Sequence, residues 1–207
     1  IKVVNISFIK LVLMLFFGVI TLLAETPSYQ LLTYPFSTRA AAMGGGRSVD
    51  PSGNIDIQGN PAGMSFIENM QGQIGFVNHL VGIKGYIAGG VIPMDRHRLS
   101  GELIYFDYGL FDKTDIYGNT LTTFGYHELA TALGYSFKFS ETIRLGGRIG
   151  RFQRVADGSS LGKFYYDLGA VYHKPADSLT VGAYLASTPV GESDEGFPSQ
   201  LHIGSSK

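Results

Sequence analysis

A period of two constrains this chain more than any other feature. From about Met64 onward, apolar side chains recur on every second residue through long runs, and no helical period of useful length interrupts them. In the run from 128 to 139, Leu129, Leu133, Tyr135, Phe137 and Phe139 share one face while Glu128, Ala130, Ala132, Gly134, Ser136 and Lys138 share the other. The next run sets Ile143, Leu145, Gly147 and Ile149 against Arg144, Gly146, Arg148 and Gly150. Successive side chains of a strand point to opposite faces. One face therefore suits hydrocarbon and the other is small or charged. Tyr166, Leu168, Ala170 and Tyr172 against Asp167, Gly169 and Val171 repeat the split, as do Leu179, Val181, Ala183 and Leu185 against Thr180, Gly182, Tyr184 and Ala186. Runs at 69–78, 81–92 and 98–108 follow it, with Lys84 and Glu102 expected inward, and a last run begins at Ser199.

These runs amount to about eight strands of roughly 9 to 14 residues, longer than the five or six usual in soluble sheets. A tilted strand needs about that length to cross a bilayer. The connections add a second signal. Those at Pro93 to His97, Ser140 to Thr142 and Lys174 to Ser178 are short, whereas 107–122, 154–163 and 187–198 read as long loops; the tight first hairpin around Asn78 to Leu80 is the exception. Outer-membrane barrels have short periplasmic turns and long outer loops. A secreted β-sandwich shares the alternation of side chains but gives no reason for loops to alternate in length. The fold class expected is thus all-β, an antiparallel transmembrane β-barrel.

Composition agrees. Only 16% of residues are charged, against roughly a quarter in soluble domains, and glycine, at 28 residues, is in excess. A formal net charge of -1 leaves no basic surplus for a phosphate backbone, so nucleic acid is not an expected partner. The lack of cysteine excludes a disulfide framework, a thiolate metal site and a lipoprotein anchor. Tryptophan is also missing, but 12 Tyr and 14 Phe can supply an interfacial girdle.

Three segments are expected. Residues 1–24 place Lys2 and Lys10 before an apolar stretch from Leu11 to Ala24, the layout of a cleaved signal peptide. Residues 25–68 form a compact plug-like segment, and 69–207 an incomplete barrel; the non-Met start and a finish within an alternating run lead us to expect a fragment of a longer protein. Within the plug, Ser37-Thr38-Arg39-Ala40-Ala41-Ala42-Met43-Gly44-Gly45-Gly46 reads as a Ser-initiated helical turn ended by glycines. Asn60-Pro61-Ala62-Gly63 reads as an N-cap followed by proline at the first helical position.

These two motifs, with the phrase Tyr108-Gly109, Thr114-Asp115, Gly118-Asn119 and Phe124, resemble the PorV/PorQ group of outer-membrane barrels, related to FadL-type fatty-acid channels and associated with type IX secretion. The last series is more similar to the PorQ branch. The resemblance covers roughly residues 30 to 207. It implies a barrel of about fourteen strands, of which this chain holds the plug and the first eight. It further implies an integral, non-enzymatic part of the secretion apparatus in the outer membrane of a diderm bacterium, embedded in lipid and binding a protein partner of the attachment complex or cargo. The motif residues carried over are Ala41, Ala42, Gly44, Gly45, Asn60, Pro61, Ala62 and Gly63, in a structural role. The alternative implied is a FadL-type transporter of long-chain fatty acids or other hydrophobic small molecules.

Three chemical motifs are set aside. Gly158-Ser159-Ser160-Leu161-Gly162 fits G-x-S-x-G but lies between strands with no helix to follow. His127-Glu128 opens like H-E-x-x-H, yet Thr131 stands where the second ligand belongs. Asp50, Ser52, Asn54 and Asp56 alternate like calcium ligands, but the glycine is misplaced at Gly53. No catalytic, metal or cofactor site is expected. The inward charges Glu102, Glu128, Lys138, Arg144, Arg148 and Asp167 remain, and they are read as an ion-pair lattice bracing the plug against the wall, with a solute path as the alternative.

Overall fold

The computed structural model describes residues 30–42, 48–79, 82–190 and 197–206. The expected signal peptide, Gly44 and Gly45 lie outside these residues. Eight strands, β1 (Gln71–Asn78), β2 (Lys84–Met94), β3 (His97–Thr114), β4 (Thr120–Lys138), β5 (Ile143–Ala156), β6 (Ser159–Lys174), β7 (Leu179–Pro189) and β8 (Gln200–Ser206), pair antiparallel in chain order as one sheet. The chain is all-β in an up-and-down meander, and β1 and β8 are not paired with each other.

Alternation sets the two faces. Leu99 and Leu103 on β3, Leu133 and Tyr135 on β4, Leu145 and Ile149 on β5, and Leu168 and Tyr172 on β6 are exposed on one face. Ile104, Phe106, Ala130, Ala132, Phe152, Tyr165 and Val171 are buried on the other. Lys84 corrects the sequence reading. It shares the exposed face with Tyr86, because the inward positions of β2 are Gly85, Ile87, Gly89 and Val91.

Strand length needs a second correction. β3 and β4 run for 18 and 19 residues, and β5 and β6 for 14 and 16, so most of the expected loops at 107–122 and 154–163 is strand. Gly109, at φ +86°, sits within a register shift between Asp107 and Leu110, and this bulge gives the sequence its loop-like look. Beyond the bulge, Leu110 to Lys113 pair with Gly125 to Thr122, where β-branched threonines favour extension. The β5–β6 connection shrinks to Asp157-Gly158, both at positive φ as a two-residue hairpin turn requires. Of the third expected loop, 187–198, Ser187 to Pro189 belong to β7, and 191–196 lie outside the described residues.

Against the inward face lies the N-terminal segment. It comprises helix α1 (Gln30–Thr33), helix α2 (Thr38–Ala42), an extended stretch and a 3-10 turn (Pro61–Phe66). Ser37 caps α2, its Oγ accepting from the Ala40 N–H at 3.3 Å. Leu31 and Phe36 join Ile87, Ile104, Phe106, Ala130, Ala132, Phe152 and Tyr165 in the main apolar cluster, while Ile57, Met64 and Ile67 pack with Val91 in a second. Contacts of this one segment reach all eight strands, from Gly53 O on Gln71 of β1 to Ser48 beside Gly204 of β8. The sheet must therefore wrap around it.

Gly158→Val forces a branched side chain into the left-handed region, and we expect a loss of about 1–2 kcal/mol in equilibrium unfolding of the full chain. Asp157→Asn removes only the exposed Lys113–Asp157 pair, 2.6 Å long, and should cost less than about 1 kcal/mol. Equal effects would argue against the tight turn.

Candidate functional site

The site begins with Asn60. As N-cap of the 3-10 turn it accepts the Ala62 N–H on Oδ1 at 3.0 Å, and proline follows at the first helical position. Its Nδ2 donates to Ser48 O at 2.8 Å, and to Ala183 O and Ala170 O at 3.3 and 3.4 Å. Ala170 and Ala183 are cross-strand partners on β6 and β7, so one amide ties the segment to two strands. Close approach depends on glycine. A Cβ at Gly169 would overlap Asn60 Oδ1, one at Gly146 the Pro61–Ala62 peptide, and one at Gly182 the Ser48 carbonyl. Gly146 and Gly169 are themselves cross-strand partners, which makes a furrow across the inward face.

Beside the furrow sits a buried ionic junction. Arg148 Nε donates to Asp167 Oδ2 at 2.6 Å, Nη2 contacts the same carboxylate, and Nη1 lies 3.5 Å from Glu102 Oε2. The guanidinium also donates to the carbonyls of Ile57 and Gln58. Asp167 accepts the Ser187 N–H in addition, at 2.5 Å. All three charged side chains are less than one-tenth exposed.

A second junction surrounds Glu128, which is wholly buried. It pairs with Arg154 at 2.9 Å and accepts the phenols of Tyr126 at 2.8 Å and Tyr108 at 3.0 Å. Arg144 and Arg98 act differently, because their main bonds go to backbone oxygens and Arg144 adds only the Ser65 hydroxyl at 3.4 Å. Arg144 Nη1 donates to Ser65 O at 2.9 Å with its guanidinium 3.9 Å from the Phe66 ring centroid, and Arg98 donates to Ile67 O and, at 2.6 Å, to Asp95 O. Both brace the C-terminal end of the 3-10 turn. Lys138, at the end of β4, is half-buried and pairs with Glu141 at 2.7 Å. Lys138 first, then Arg144 and Arg96, hold the exposed Glu141 carboxyl below its usual pKa.

Of the expected motif residues, Asn60, Pro61 and Ala62 are buried in the furrow, and Gly63 is partly exposed with open space beside it. Ala41 and Ala42 are exposed on α2, and Ala40 is the one that packs inward. Sequence reasoning did not foresee that Tyr108 and Tyr126 would meet Glu128, and it passed over Arg98 and Arg154. Their parity was a usable signal: Arg98 shares the phase of Glu102, and Arg154 that of Arg148. The furrow glycines gave a weaker one, since being small does not reveal what will occupy the space.

The motifs set aside have ordinary surroundings. Ser160 accepts from Gln153 across the β5–β6 pair at 3.3 Å, and His127 and Glu128 point to opposite faces. Asp50 pairs with Arg39 at 2.6 Å and accepts the Ser52 N–H at 3.0 Å. No group of three metal-ligating side chains is found among the described residues. No protein-family model matches this chain, and no curated protein does.

Removing one partner of a buried ion pair strands the other, at about 3–5 kcal/mol. Arg148→Met should therefore lower unfolding stability by that order. Adding Glu102→Gln and Asp167→Asn should restore at least half of the loss, whereas additive losses in the triple variant would show that the charges are not coupled.

Proposed function

We propose that this chain is the plug-bearing first part of an integral outer-membrane β-barrel of the PorV/PorQ kind, a component of type IX secretion. In this reading it is exported through a cleaved signal peptide, is closed by further strands between β8 and β1, and works without catalysis by anchoring a protein partner at the cell surface. The observation that carries the membrane setting is the outward face. Apolar side chains are exposed on strand after strand, from Ile74 and Phe76 on β1 to Leu201 and Ile203 on β8, and nothing in the described chain covers them. Soluble monomers seldom expose a contiguous apolar patch beyond a few hundred Å². Hydrocarbon is the solvent in which such a face is at rest.

Support for partner binding comes from the asymmetry of the two ends. At one end the strands turn tightly, through Asp95-Arg96 and Pro175–Asp177. At the other, the β5–β6 turn is as tight, but the β3–β4 hairpin continues past its neighbours and presents Leu110, Ile116, Tyr117 and Leu121, all well exposed. Its tip is an ordered loop rather than a slack one. Asp115 accepts from Asn119 Nδ2 at 2.9 Å and from the backbone N–H groups of Asn119 and Tyr117 at 2.9 and 2.8 Å. These bonds, the Asn119 side chain first, hold the Asp115 carboxyl below its usual pKa. A depressed carboxylate stabilises the tip above the ordinary carboxylate range and loses that effect as pH falls through its own lowered value. A preformed arm of this kind docks a protein at low entropic cost.

The FadL-type transporter is the second reading. A cavity of about 450 Å³ beside β1, lined in part by Phe36, Ile55, Met64 and Val77, speaks for it, and Arg39, Asp50 and Asp56 in the same lining speak against a hydrophobic solute.

Two measurements test the proposal. Leu133→Arg or Ile149→Arg should cost about 2–4 kcal/mol in vesicle-assembled protein if these positions face mid-bilayer, and a neutral result would remove the membrane reading. Deleting the intact gene in its host should selectively deplete surface proteins bearing C-terminal sorting domains, as read by mass spectrometry. Ile116→Ser with Tyr117→Ser should reproduce that loss with barrel assembly intact. An unchanged surface proteome would favour the transporter, and uptake of long-chain fatty acids would then decide.

A further inference from the structure

At the end of the sheet that carries the short turns, a cavity of about 510 Å³ opens between the 3-10 turn and the inward ends of β3 to β6. Four consecutive strands each send one basic side chain to it: Arg98, Lys138, Arg144 and His173. Lys138 and Arg144 stand directly opposite each other in the β4–β5 register. Like charges so placed are destabilising. The available carboxylates do not resolve the conflict: Glu141 pairs with Lys138 but is largely exposed, and Glu68, exposed on the lining, forms no ion pair among the described residues.

Arg144 gives the clearest sign. It is 8% exposed, yet its Nε meets no acceptor, while Nη1 is spent on Ser65 and the Phe66 ring fixes the guanidinium plane. A buried guanidinium N–H without a partner is costly. His173 commits Nδ1 to Thr180 Oγ1 at 2.9 Å, and its other ring nitrogen meets no hydrogen-bond partner among the described residues. The donors thus converge from several directions on a space far larger than a carboxylate needs.

We propose that this cavity binds a phosphate-type oxyanion, held by Arg144 and Lys138 with Arg98 and His173 completing the shell. A tetrahedral anion offers acceptors to several strands at once, and the free edge of the Arg144 fork matches the geometry by which arginine recognises phosphate. This site does not depend on the membrane reading. Its ligand chemistry fits either free phosphate or the phosphate of a lipid headgroup.

The test is calorimetric titration of the purified full chain with inorganic phosphate at constant ionic strength, run in parallel with short-chain phosphatidic acid against phosphatidylcholine in mixed micelles. Saturable binding is expected in at least one arm. Saturation by inorganic phosphate assigns a free anion, and saturation by phosphatidic acid alone assigns a headgroup. Arg144→Gln and Lys138→Gln should each weaken binding at least about tenfold, Glu68→Gln should tighten it, and Lys113→Gln at the opposite end should leave it unchanged. Lys138 is half-buried at a strand end, so its variant remains decisive if Arg144→Gln fails to fold. No saturable binding in either arm, or wild-type affinity in Lys138→Gln, overturns the proposal.

Discussion

Arg148 is the charge on which the rest of the structure depends. A guanidinium withdrawn from water costs several kcal/mol unless its donors are filled and its charge is met. Here Asp167 and Glu102 meet the charge from β6 and β3, and the carbonyls of Ile57 and Gln58 fill the donors. The wall alone would leave donors empty, and the N-terminal segment alone would have no cation to hold it. Each part supplies what the other's buried groups need. Sheet and N-terminal segment are therefore expected to unfold together.

Sterics reinforce the electrostatics. The segment can bring Ile57 O to Arg148 only by running close over β5 to β7, and the glycines at 146, 169 and 182 leave that path open. Asn60 then converts proximity into direction. Its carboxamide caps the 3-10 turn on one side and reaches two strand carbonyls on the other, so the turn is fixed in rotation as well as position. Arg144 and Arg98 hold the far end of that turn through Ser65 O and Ile67 O.

Strand identity, order of faces and the inward placement of Glu102, Glu128, Arg144, Arg148 and Asp167 were all legible in the sequence, because side-chain period is a local property of backbone geometry. Lys84 was misplaced for a related reason: at a strand end few neighbours fix the phase, and the glycines of β2 weaken the pattern. Strand ends were also misjudged at Gly109 and at Asp157-Gly158, where residues that commonly open loops serve instead as a bulge and a two-residue turn. Which inward charges would meet was not legible. Arg148 and Asp167 are register partners, and register is set by hairpin lengths that the sequence pattern overestimates.

The distribution of polarity decides what solvent such a chain can tolerate. Its enclosed face holds two buried ionic junctions, and its open face holds leucine, isoleucine, phenylalanine and tyrosine. In water that arrangement is penalised twice, by desolvated charge within and by wetted hydrocarbon without. In a bilayer the second penalty becomes the driving force, and the first is limited because plug and wall have already paired their charges. The free backbone of β1 and β8 would then need closure, since hydrocarbon offers no hydrogen bonds to a strand edge. Even β1 leans on the plug: Gln71 and Gln73 accept the N–H groups of Ile55 and Ile57 through their side chains. The N-terminal segment thus contacts the first strand and the last ones alike.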